Sequence, residues 1–163
     1  MRPDPELTGQ IYECSHLGGH RFAPTALLLP NGYMYGRLDL AKTQEVLDAA
    51  WNGGVAASYL RGRTSFPQWA QVAEIAVRQQ EEITSAEALD VVVVRQSRPL
   101  AAAITKQLVD ADSIEVRHRD GRAWSVELEE SDVSPRPTSC GADPKPTTSL
   151  TAKHVASLPA WRH

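Results

Sequence analysis

Residues 25–51 read TALLLPNGYMYGRLDLAKTQEVLDAAW, and the fold class turns on this stretch. Two apolar runs flank Pro30-Asn31-Gly32, and Asn-Gly between such runs supplies the positive φ angles that a tight hairpin demands. Asp39 can then accept from the first free N–H groups of a helix. Leu40, Val46, Leu47, Ala50 and Trp51 lie mostly along one stripe of that helix before Asn52-Gly53-Gly54 stops it. A hairpin followed at once by an amphipathic helix implies an α/β chain.

Working outward, residues 10–15, QIYECS, alternate apolar and polar and predict a short strand that ends at a histidine loop. Downstream, SYLRGRTSFP reads as a cationic loop. Pro67 suits the first turn of a helix running to about Ile83, with Trp69, Val72, Ala73, Ala76 and Val77 at helical spacing as core contacts. ALDVVVVRQ predicts a strand, and SRPLAAAITKQLVD a short helix after Pro99. In SIEVRHRDGRAWSVELEE, Ile114, Val116 and His118 alternate, Asp120-Gly121 turns the chain, and Trp124, Val126 and Leu128 alternate back. Trp124 is expected to face the core and His118 the solvent. From Ser131 the composition shifts to Pro, Ser, Thr and Lys, and SPRPTSCGADPKP is expected to form no regular element. The chain therefore divides into a domain over residues 1–130 and a proline-rich extended tail over residues 131–163.

A length of 163 residues suits a single conventional core, and 42% hydrophobic with 23% charged residues is the balance of a globular protein. The net charge of -3 supplies no electrostatic reason to expect nucleic acid or an anionic membrane as partner. The apolar runs are far shorter than the roughly 20 residues that span a bilayer, and MRPDPELTGQ lacks the core of a secretory signal. These features point to a cytoplasmic chain. Cys14 and Cys140 are too few for a disulfide scaffold, which fits a reducing compartment and leaves a metal or redox role open.

The segment CSHLGGHRFAP, residues 14–24, places two histidines four apart around a pair of glycines. On a helix they would share a face, as in zinc proteases. Gly18 and Gly19 would each cost about 1 kcal/mol against alanine there, and the glutamate of the protease motif is missing. The histidines are therefore expected to converge from a loop, which glycines permit by bending tightly and approaching an object closely. Imidazole suits zinc, copper and iron, so the spacing alone leaves the metal open.

CSHLGGHRFAPTALLLPNGYMYGRLD, followed by YLRGRTSFPQWAQVAEIAVR and RPTSCGADPKP, resembles the sucrase/ferredoxin-like family of thioredoxin-like ferredoxins, from about Ile11 through the tail. The resemblance implies a partial thioredoxin-like fold with an added C-terminal helix and hairpin. It implies that His16 and His20 ligate one iron of a 2Fe-2S cluster, while two cysteines of a segment preceding residue 11 hold the other. Neutral imidazoles in place of two thiolates would raise the potential, as in Rieske centres, and couple reduction to proton uptake. The implied role is one-electron transfer, with a redox partner protein and a separate chain as source of the missing cysteines. The competing expectation is a noncatalytic interaction domain without the cluster. Its metal site, if it has one, would be structural zinc, for which Cys14 and Cys140 could complete a Cys2His2 set.

Arg61 and Arg63 precede a helix start, where N–H groups and the helix dipole favour anions. They could bind a phosphate or acidic partner, or pair with Glu74 or Asp39. Arg21, beside the histidine loop, could support reduction, dock a partner or stand solvated. No nucleophile triad or phosphate-binding loop emerges, so an electron-transfer protein is expected rather than an enzyme.

Overall fold

The computed structural model describes residues 11–15, 17–94, 113–137 and 143–160. Residues 25–51 fold as a hairpin and a helix. β1 (Thr25–Leu28) pairs antiparallel with β2 (Tyr33–Gly36), Leu28 opposite Tyr33. The connection is four residues, Leu29 to Gly32, and Gly32 alone carries positive φ, at 72°. The two-residue Asn-Gly turn is thus replaced by a wider one. Next, α1 (Leu40–Trp51) is capped by the Asp39 carboxylate, which accepts from the Lys42 N–H at 2.9 Å. The helix is rolled away from the expected stripe: Val46 is buried and Ala49 packs with it, while Leu40 and Trp51 are 67% and 74% exposed. A stripe wider than the sheet it faces leaves its flanks in water.

The cationic segment is a strand. β3 (Leu60–Arg63) adds to β2, with Tyr33 opposite Arg63 and Tyr35 opposite Leu60. Its alternation of buried Leu60 and Gly62 with half-buried Arg61 and Arg63 is the two-residue period that a sheet imposes. Residues 11–15, read as a strand, pair with nothing among the described residues and are exposed, Tyr12 at 85%. An unpaired strand must leave its backbone groups to water, so alternation alone does not hold one in place.

α2 (Gln68–Gln80) starts after Pro67 as expected and ends three residues short of Ile83, where Glu82 turns left-handed at φ 53°. It lies between two cores. Ala73 and Val77 pack against the second sheet, built from β4 (Leu89–Val94), β5 (Ser113–His118), β6 (Ala123–Pro137) and β7 (Pro144–Leu158) in sequential antiparallel order. Ile75 packs against the first sheet with Tyr33, Tyr35, Val46, Val55 and Leu60. The hairpin expected at Asp120-Gly121 forms in register, Ile114 opposite Val126 and Val116 opposite Trp124. Trp124 is buried as expected; His118 is half-buried rather than solvent-facing, its Nδ1 2.7 Å from an Asp120 carboxylate oxygen.

The expectation that the proline-rich stretch lacks regular structure is overturned at residues 134–137 and 144–146. β6 and β7 pair along their length, from Ala123 opposite Leu158 to Pro137 opposite Pro144. The prolines sit where a ladder tolerates them: Pro137 ends one strand, Pro144 begins the next, and Pro135 falls in a register break between Val133 and Arg136. The helix expected after Pro99 and the Cys140 turn lie outside the described residues. The α/β class holds, with two α-helices and two antiparallel sheets among the described residues.

A buried polar cluster fastens α2 to the first sheet. Glu74 and Arg78, one helical turn apart, are fully buried. Glu74 Oε1 accepts from Arg78 Nε at 3.1 Å, Arg78 Nη2 at 3.0 Å and Arg63 Nη2 at 2.9 Å. Arg78 also donates to the carbonyls of Ile83, Ser85 and Ala86 in the segment that follows the helix. The Tyr33 hydroxyl donates to Ala86 O at 2.7 Å and accepts from Arg78 Nη2 at 2.9 Å and from Arg63 Nη2. Glu74 Oε2 and Arg63 Nε are buried with no partner. Burial, and then the Glu74 carboxylate, push the Tyr33 phenol up to about 12 against the opposing pull of Arg78 and Arg63.

Because a tyrosine in an unfolded chain ionises near pH 10, Tyr33 contributes stability that is complete below that pH and lost as pH rises through about 12. Phenolate absorbance of the native protein minus that of Tyr33→Phe should therefore rise near pH 12. A difference centred at pH 10 would contradict the buried position.

Candidate functional site

The loop between Ser15 and Phe22 leads into β1, and its shape comes from backbone conformations that only glycine adopts readily. Gly18 and Gly19 hold φ of 77° and 66°. They turn the chain into a single 3-10 turn, His20–Phe22, closed by the Phe22 N–H donating to Gly19 O at 2.8 Å. The Arg37 N–H donates to Phe22 O at 2.6 Å and the Leu38 N–H to Pro24 O at 3.1 Å, so the loop is laced to the end of β2. Residues 17–19 form a loop rather than a helix. His20 opens the 3-10 turn, and His16 lies outside the described residues. Cys14 is exposed, and Cys140 is outside the described residues.

Arg61 forms the floor of this loop. Its guanidinium lies 3.4 Å from the centre of the Phe22 ring, a half-buried cation–π contact worth about 0.5–2 kcal/mol. A Cβ on Gly19 would stand 2.7 Å from Arg61 Nη1, and one on Gly36 would stand 2.7 Å from Arg61 Cδ. Gly19 is therefore required twice, for its φ and for the guanidinium beneath it. Arg21 and Arg37 approach the same ring at 4.8 and 5.5 Å. Arg37 does so from a left-handed backbone, φ 57°, which costs a non-glycine residue roughly 1–3 kcal/mol and tends to be found at functional sites.

No ion pair to Arg21, Arg37 or Arg61 forms among the described residues. Arg61 Nη1 is buried without an acceptor, a deficit of at least about 1–3 kcal/mol. Burial, and then the repulsion of Arg21 and Arg37, lower the proton affinity of Arg61. The two arginines of β3 thus part company: Arg63 pairs with Glu74, as one of the two sequence alternatives had it, and Arg61 stays unpaired.

The sucrase/ferredoxin-like family model matches residues 2–62, a span that contains the whole histidine loop, β1, β2, α1 and the first three residues of β3. Residues 2–62 are similar to the sucrase/ferredoxin-like family. No curated protein and no solved structure matches the chain. The sucrase/ferredoxin-like match stops at Gly62, so the likeness read further along, through YLRGRTSFPQWAQVAEIAVR and RPTSCGADPKP, is not covered by it.

His16 and His20, two imidazole donors around a glycine pair, have the donor chemistry that would suit one iron of a 2Fe-2S cluster. Among the described residues no three of His, Cys, Asp and Glu gather as a metal site. Arg37 and Phe22 went unnoticed in the sequence, where nothing marks a left-handed arginine or the ring on which three cations converge. Glu74 was among the carboxylates open to Arg61 and Arg63, and nothing in the sequence marks Arg78 as its buried partner.

Proposed function

We propose that this chain is a one-electron transfer protein, or the histidine-bearing half of one, in which His16 and His20 would hold one iron of a 2Fe-2S cluster. The observation that carries the reading is the sucrase/ferredoxin-like match across the histidine loop. When bound, such a cluster takes up and releases a single electron. Gly18 and Gly19 bend the chain between the two ligand positions in the sequence. The cysteine ligands would come from a separate chain, and a redox protein would be the partner. With this reading goes the finer fold assignment, a partial thioredoxin-like arrangement, and a cytoplasmic location. No helix among the described residues is long and apolar enough to cross a membrane.

Purified anaerobically together with the cysteine-bearing partner, the protein should carry iron and sulfide in equal amounts, with visible charge-transfer bands that disappear in a His16→Ala, His20→Ala double variant. A chain that stays colourless after reconstitution with iron and sulfide forms no cluster unaided. If it also stays colourless when co-expressed with the cysteine-bearing partner, the reading fails, and the interaction domain without a cluster takes its place.

A further inference from the structure

We propose that Arg21, Arg37 and Arg61, gathered around the Phe22 ring, form a binding site for a compact phosphate-type dianion. The site stands apart from the cluster reading, since it uses none of the histidines. Three guanidiniums lie 4.8, 5.5 and 3.4 Å from one ring centre, and none has a carboxylate partner among the described residues. Asp39, two residues beyond Arg37, is taken by Lys42, its Oδ2 2.9 Å from Nζ and its Oδ1 accepting from the Lys42 N–H. The Lys42 ammonium itself also donates to Arg37 O, which holds the left-handed arginine in place.

Arg63 and Arg78 each meet the Glu74 carboxylate, and Arg61 meets none among the described residues. Arg61 instead keeps a buried Nη1 with no acceptor, while two further cations are drawn toward it. An oxyanion seated beside the three guanidiniums cancels the repulsion between them. A dianion matches the charge better than a single carboxylate, which would leave two cations uncompensated. The planar guanidinium fork also suits phosphate oxygens two at a time. The strained Arg37 backbone is then part of the site, since it brings that side chain to the ring.

Calorimetric titration of the full chain, freed of metal by chelation, tests this with inorganic phosphate and with adenosine 5′-monophosphate at constant ionic strength. Both Arg21 and Arg37 are exposed, so Arg21→Ala and Arg37→Gly should keep the fold; glycine at 37 also accepts the positive φ. Saturable binding of one equivalent is expected, weakened about tenfold or more in each variant and unchanged in Arg119→Ala, an exposed arginine of the β5–β6 turn. Equal affinity for the two probes identifies free phosphate as the ligand, and tighter binding of the nucleotide identifies a phosphoryl group on a larger molecule. Absence of saturable binding, or equal weakening by Arg119→Ala, overturns the proposal.

Discussion

Glu74→Ala is expected to destabilise the fold by about 3–5 kcal/mol, measured by urea unfolding at neutral pH. The size follows from what the substitution leaves behind. Glu74 Oε1 is the acceptor for both Arg63 and Arg78, and Arg78 is fully buried. Removing the carboxylate strands a guanidinium where water cannot reach it, which costs far more than a surface pair is worth. Glu74→Gln, which keeps the shape and one acceptor but not the charge, should fall between the two proteins. A double-mutant cycle with Arg63→Ala should show coupling of about 0.5–3 kcal/mol, because both residues act through one oxygen. A loss below about 1 kcal/mol for Glu74→Ala would mean that the carboxylate is solvated and that α2 is not fastened in this way.

Trp124→Ala should cost a similar amount, about 3–5 kcal/mol, by cavity formation rather than by charge. Trp124 is 2% exposed, stands opposite Val116 on β5 and Ser157 on β7, and shares a core with Ala73 and Val77 of α2. Its deletion opens a void that neighbours on several elements would all have to move to fill. Trp51→Ala is the internal comparison: that ring is 74% exposed, and its loss should change stability by no more than about 0.5 kcal/mol. If the two tryptophan variants lose equal stability, the packing described for the second sheet is wrong.

Tryptophan positions show where sequence reading succeeds. Trp124 lies in a strand whose alternation has only two phases, and Val126 and Leu128 leave no doubt which faces inward. Trp51 lies on a helix, where a stripe of five apolar residues is wider than the contact it makes. Helix rotation is then settled by the sheet, not by the stripe. The histidine loop shows the same division. Its glycine pair announced a tight loop, and the backbone has it, but nothing in HLGGHRF indicated that Arg61 and Arg37 would come to lie against Phe22.

Local patterning was enough for elements whose stabilising partners are close in the chain: the β1–β2 and β5–β6 hairpins, the Asp39 cap and the start of α2 after Pro67. Caps and alternation act over a few residues, so the string of letters contains both halves of each interaction. Only the folded chain decided that the cationic segment is a strand, that the proline-rich stretch is half of a long ladder, and that Glu74 and Arg78 are buried. Each of those depends on a partner distant in sequence, as Tyr33 is from Arg78, or on prolines falling where a ladder breaks. Tertiary contact sets the register and burial that local pattern leaves open.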